Sequence, residues 1–152
     1  MHLLVRPAVL GLLALSFFIS ACAATPRAGG DTSVKVPVEG GGSYMDVTPG
    51  TLSSMLAAKD FVLVNVHIPY EGEIANTDLF LPYDQVESRL AALPSDKTAR
   101  IVLYCRSGSM SAIAARALVA AGYTDVWNLD GGMNAWRSQG YPLLNDGSGR
   151  RT

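Results

Sequence analysis

The chain reads as an α/β domain built on a mainly parallel sheet with helices on both faces. Residues 61–66 (Phe-Val-Leu-Val-Asn-Val) and 101–104 (Ile-Val-Leu-Tyr) are nearly continuous apolar runs rich in branched side chains. Strands buried on both faces look like this. Helical spacing lies between and after them, at Val86, Leu90 and Leu93 and again through residues 112–121. Strands that alternate with helices are joined by crossovers, and crossovers favour parallel pairing.

Each element follows in order. Residues 44–47 give a short first strand. Thr48-Pro49 then supplies an N-cap followed by proline at the first helical position, and Leu52, Met55 and Leu56 share one helical face. Residues 61–66 form the second strand, and a long loop runs over 68–82. A helix over 84–93 stops before Pro94. Strand 101–104 leads straight into Cys105. The helix over 112–121 is apolar nearly all round except at Arg116, with Gly122 placed to cap it. Residues 125–129 make the last strand and 132–139 a short closing helix.

The ends read differently from the domain at 44–143. Residues 1–21 have the layout of an export signal: Arg6 is positive, and the apolar run over 8–19 is too short to span a ~30 Å hydrocarbon core. Ile19-Ser20-Ala21-Cys22 resembles a bacterial lipobox, in which small residues precede a cysteine that receives a diacylglyceryl group. On this reading Cys22 is the lipidated N-terminus of an exported protein held on a bacterial membrane, facing the periplasm or the cell exterior. Residues 22–43 are rich in Gly, Pro, Ala, Thr and Ser and are expected to be a flexible tether. Residues 144–152 are expected to be a disordered tail.

Composition removes several function classes. Twelve Lys and Arg stand against thirteen Asp and Glu, and no basic run occurs. Nucleic-acid binding thus lacks its electrostatic footprint. Two cysteines and two histidines, one of them at position 2, cannot build a finger-type zinc site or a disulfide scaffold.

Reactive chemistry falls at the carboxyl edge of the sheet, where ligands gather in such folds. There the sequence is Cys105-Arg106-Ser107-Gly108-Ser109-Met110-Ser111. Gly108 between two small serines lets the backbone curl with its N–H groups inward, as an anion nest. The following helix N-terminus adds partial positive charge, and Arg106 a full one. Each effect stabilises a thiolate, so Cys105 is the candidate nucleophile.

Three stretches resemble the rhodanese-like (sulfurtransferase) family, over about residues 44–143. Residues 62–67 with Pro69-x-Glu71 match its first signature, and residues 104–111 match its Cys-Arg-x-Gly loop. Gly131-Gly132-Met133-Asn134-Ala135-Trp136, then Gly140 and Pro142, match its closing signature. The resemblance implies a five-stranded sheet and a cysteine that takes a sulfane sulfur from thiosulfate or a persulfide. That sulfur then passes to a thiol or cyanide. Cys105 would be the nucleophile and carrier, with Arg106, Ser107, Gly108, Ser109 and Met110 as the persulfide's cradle. No metal or organic cofactor is needed.

Departures from the family pattern bear on activity. Asn65 and His67 replace an Asp and an Arg, so a structural ion pair is expected to be missing. Residues 72–78 lack the usual Gly-His-Ile-Pro-Gly-Ala, and Met110 replaces an arginine that would bind an anionic donor. Related phosphatases carry arginine six positions after the cysteine; Ser111 stands there and cannot clamp a dianion. The competing reading is a non-catalytic binding module, whose usual mark is loss of the cysteine. His67 is expected to support its loop by hydrogen bonding, Glu71 and Glu73 to be solvated, and Trp127 and Trp136 to pack.

Overall fold

A computed structural model describes residues 32–147. The export segment, Cys22 and residues 148–152 lie outside the described residues. Six strands and three α-helices follow in order among the described residues: β1 (Ser33–Pro37), β2 (Ser43–Val47), α1 (Pro49–Leu56), β3 (Val62–Asn65), β4 (Leu79–Phe80), β5 (Ile101–Tyr104), α2 (Ser109–Ala120), β6 (Val126–Leu129) and α3 (Gly132–Ser138). The strands form one sheet in the order β1-β2-β6-β5-β3-β4. Every neighbouring pair is parallel except β1–β2.

The sheet therefore has six strands rather than five, and part of the expected tether belongs to it. Ser33-Val-Lys-Val-Pro37 pairs antiparallel with β2 over five registers, from Ser33↔Val47 to Pro37↔Ser43. The glycines that suggest a linker are its turn: Gly40, Gly41 and Gly42 all have positive φ, a conformation open to residues without a Cβ. Val36 and Val38 pack against the core from this hairpin. The start of the expected tail is likewise attached to the domain: Leu144 and Glu73 exchange backbone hydrogen bonds of 2.8 and 2.7 Å.

Residues 84–93 are not one α-helix but two 3-10 turns, Tyr83–Gln85 and Glu87–Ala92. Neither has a side-chain cap, and Arg89 breaks the second with φ −120° and ψ 28°. The Ser88 hydroxyl bonds the Gln85 carbonyl at 3.0 Å, a local alternative to the α-helical ladder.

Strand residues alternate between two buried faces, as the pleat requires. Val64, Leu103 and Cys105 face α2 with Ala114, Ala115 and Leu118. Leu63, Val102 and Tyr104 face α1 and α3 with Leu52, Met133 and Trp136. Covering both faces buries β5 completely, and this fixes the strand end that carries Cys105. No helix among the described residues is long and apolar enough to cross a membrane.

Candidate active site

Cys105 follows β5 directly and is buried. Its Sγ accepts the Gly108 N–H at 3.1 Å and the Ser111 hydroxyl at 3.4 Å. Ser111 is fully buried, and its Oγ also lies 3.1 Å from the Gly108 carbonyl, so one hydroxyl proton serves two acceptors. Extra negative charge on sulfur draws that proton to itself.

Gly108 turns the chain. It has φ 90° and sits at the cap of α2, so the helix begins at Ser109 rather than near residue 112. Ser109, Met110 and Ser111 thus form the first helical turn, where backbone N–H groups lack intrahelical partners. A Cβ at Gly108 would meet Gly131 N at 3.1 Å as well as a strained φ.

The five candidate cradle residues are placed differently from one another. Gly108 contacts the sulfur. Ser107 and Ser109 are exposed, with their hydroxyls 3.3 Å apart. Met110 is half-buried and packs against the core on the α2 side. The Arg106 side chain turns to Glu71, with Nη1 at 3.2 and 3.4 Å from its two carboxylate oxygens. Ser111, which the sequence marks only by the arginine it lacks, joins Cys105 and Gly108 instead.

The glycine pair before α3 supports the loop from behind. Gly131 and Gly132 have φ 69° and 56°. Met133 N–H donates to the Cys105 carbonyl and Asn134 N–H to the Arg106 carbonyl, both at 2.9 Å. A side chain at Gly132 has no room there.

Positions 65 and 67 form no Asp–Arg ion pair, as expected, and the loop between β3 and β4 is tied down by other bonds. Buried Asn65 accepts the His67 N–H at 3.0 Å and donates to the Gly72 carbonyl at 2.9 Å, a double role open to an amide and closed to a carboxylate. His67 Nε2 lies 2.9 Å from Glu71 Oε2, the loop-support role expected of it. Glu71 is therefore not simply solvated: the His67 hydrogen bond, reinforced by the Arg106 charge, holds its carboxyl below the ordinary carboxylate range. Across the sheet, the Tyr104 hydroxyl accepts the Ile74 N–H at 3.1 Å and lies 2.7 Å from Thr77 Oγ1. Burial pushes this phenol up to about 12.

Beside Arg106 opens a cleft of about 510 Å³, lined among others by Tyr70, Glu71, Met133, Arg137 and Asp146. Trp136 packs in the core with Met133, as expected, with its ring N–H on the Pro142 carbonyl at 2.9 Å.

The chain is similar in sequence and fold to known proteins. The chain is 36% identical over 103 residues to a sulfurtransferase of Allochromatium vinosum, covering 65% of this chain and 94% of that protein. It is 31% identical over 77 residues to thiosulfate sulfurtransferase PspE of Escherichia coli, covering 51% and 74%. Among solved structures, a rhodanese-like domain protein from Staphylococcus aureus aligns at a TM-score of 0.55 with 28% identity, covering 66% of this chain and 98% of that one. A rhodanese-related protein from Thermoplasma volcanium aligns at 0.57 with 24% identity, over 65% and 96%, a likeness of fold alone. The family model for the rhodanese-like domain matches residues 48–139. That match runs from the cap of α1 to the cap of α3 and takes in the cysteine loop and its glycine support together: the chain belongs to the rhodanese-like domain family.

Proposed function

We propose that the protein is a sulfurtransferase that carries a sulfane sulfur on Cys105. The observation behind this reading is a buried cysteine sulfur that already accepts two hydrogen bonds, from Gly108 N–H and the Ser111 hydroxyl, at the N-terminus of α2. Both donor atoms stand in place before reaction, so negative sulfur is stabilised with no more than a shift of the shared Ser111 proton. The names of the Allochromatium and Escherichia relatives support the same class.

Two displacements make up the reaction. The Cys105 thiolate attacks the outer sulfur of thiosulfate or of a persulfide. An Sγ–S bond forms, the donor S–S bond breaks, and its electron pair leaves with sulfite or the donor thiolate. Cyanide or a thiolate then attacks the outer sulfur of the Cys105 persulfide, and the Sγ–S electron pair returns to Sγ. Neither step needs an external oxidant or reductant. Arg106 is engaged by Glu71 and Met110 faces the core, which favours a persulfide over the thiosulfate dianion as donor.

Incubation with thiosulfate or a small-molecule persulfide is expected to add the mass of one sulfur atom to Cys105, and cyanide to release it as thiocyanate. Cys105→Ser abolishes both. Absence of labelling by either donor overturns the enzyme reading in favour of a binding module.

The same proposal places the protein on a bacterial membrane through a lipid on Cys22, after export. Its support is the short apolar run over 8–19 ending in Ile19-Ser20-Ala21-Cys22. Intact mass of membrane-purified protein should show acyl additions on Cys22 that disappear in Cys22→Ala; an unmodified, uncleaved chain refutes the anchor.

A further inference from the structure

The first strand of the sheet runs against the others, and this decides where the chain ahead of it meets the domain. β1 is antiparallel to β2, whereas β2, β6 and β5 are mutually parallel. Val34, Asp46, Asn128 and Leu103 share one register row across these four strands. Thr32 lies two residues before Val34, and Cys105 two residues after Leu103. Because β1 runs the opposite way, both positions stand beyond the row on the same side, at the carboxyl edge. Three strand spacings separate them laterally, about 14 Å.

Thr32 is fastened at this edge. Thr51, buried in the first turn of α1, accepts the Thr32 N–H on Oγ1 at 3.2 Å. The same oxygen lies 3.5 Å from the Thr32 carbonyl and 3.1 Å from Thr48 Oγ1. Thr48 caps α1 immediately after β2 ends.

Ten residue steps join Cys22 to Thr32, and even fully extended they span no more than about 35 Å. A compact domain of this length is itself roughly 35 Å across. To turn the amino edge toward a membrane holding Cys22, those ten residues would have to run their full length along the domain's flank. The carboxyl edge reaches the membrane without that constraint. Its sulfur loop presents Arg106, Ser107 and Ser109 to solvent, side chains that suit a headgroup layer rather than hydrocarbon.

We infer that the Cys105 edge faces the membrane that holds the Cys22 anchor, and that Cys105 exchanges sulfur with a thiol carried at that same surface. The inference rests on the anchor and sulfurtransferase readings above. The surface-held thiolate attacks the outer sulfur of the Cys105 persulfide. A new S–S bond forms on the thiol, the Sγ–S bond breaks, and its electron pair returns to Sγ.

The test uses the full lipidated chain on phosphatidylcholine vesicles, with two readouts. For orientation, a fluorophore is attached at Asp130→Cys, just past β6 on the carboxyl edge, or at Asp60→Cys, before β3 on the amino edge. Both positions are exposed, and Cys105→Ser removes the competing thiol in each. Energy transfer to acceptor lipids should be severalfold stronger from position 130 than from position 60. Equal or reversed transfer overturns the orientation. An insert of about thirty Gly and Ser residues after Gly30 allows either edge to reach the surface and should erase the difference. A difference that survives the insert overturns the part given to the short connection.

In the second readout, protein preloaded with sulfur at Cys105 is discharged by a phospholipid whose headgroup ends in a thiol, or by its deacylated, water-soluble counterpart. At equal bulk concentration the lipid thiol should act about tenfold faster or more, through confinement to one surface. The advantage should vanish in Cys22→Ala. Equal rates with the lipidated protein overturn the surface-held partner. Protein recovered without acyl groups overturns the anchor and this orientation with it. Failure to load sulfur overturns the sulfurtransferase reading and the thiol partner, while the energy transfer still decides the orientation.

Discussion

The Cys105 carbonyl oxygen lies 2.2 Å from the point where a Cβ on Gly132 would sit. Real Cβ atoms do not approach an oxygen so closely, and the backbone of Arg106 closes the same space at 2.8 and 2.9 Å. Gly132→Ala must therefore push α3 off the cysteine loop and break the bonds from Met133 and Asn134. The expected result is a loss of several kcal/mol of stability together with loss of sulfur uptake. Gly140→Ala is the matched control. Gly140 also has positive φ, at 85°, but open space around it, so about 1 kcal/mol is expected there. Urea midpoints of the two variants measure the difference; equal midpoints would refute the close approach.

Ser111→Ala removes one of the two hydrogen bonds to the Cys105 sulfur and leaves the Gly108 N–H in place. A donor aimed at developing charge contributes substantially to rate in a buried site, so sulfur uptake should slow by about tenfold or more. Stability falls less, by about 1–2 kcal/mol, from the lost bond to the Gly108 carbonyl. Stopped-flow uptake beside thermal unfolding separates the two. An unchanged rate with reduced stability would make Ser111 a packing residue.

What was legible in the sequence follows where local pattern suffices. The runs at 62–65 and 101–104 are readable because strands covered on both faces cannot hide their apolarity. Cys105 is readable because a strand, a small-residue turn and a helix follow one another within a dozen positions. The missed features depend on partners elsewhere. β1 reads as linker because five residues with alternating valines beside a glycine run look alike whether paired or free, and only pairing with Ser43–Val47 decides. Gly132 meets Cys105 from 27 positions away, and Glu71 meets Arg106 across 35. No period or turn signal spans such distances. Ser111 could have been found from its place in the first turn after Gly108, one turn from the sulfur it touches.

Glu71 engages Arg106, so on the proposed sulfurtransferase reading Glu71→Gln should lower the KM for thiosulfate severalfold, with a smaller change for an uncharged persulfide donor. Acid should act in the same direction. The Glu71 carboxyl lies below the ordinary carboxylate range because of His67 and Arg106. Its ion pair is present above that range and is lost as pH falls through the lowered value. Parallel KM changes for charged and neutral donors in Glu71→Gln would refute the screening role.

Tyr104 gives a prediction at the opposite end of the pH scale. Its phenol is pushed up from 10.0 to about 12 by burial. The folded state thus keeps a proton that the unfolded chain releases near pH 10. Below pH 10 both states are neutral at this position and the stabilisation is whole. Between pH 10 and 12 the unfolded state binds fewer protons, so stability falls as pH rises, by about 2–3 kcal/mol at most. Tyr104→Phe should remove this part of the alkaline slope. It should also cost about 1–2 kcal/mol at neutral pH, because the Ile74 N–H loses its acceptor in the loop over 68–82. Denaturant unfolding at pH 8, 10 and 11.5 in both proteins measures the two effects. Parallel alkaline slopes in wild type and Tyr104→Phe would show that the phenol does not carry the loss, whereas converging curves tie the loop's attachment to this one buried hydroxyl.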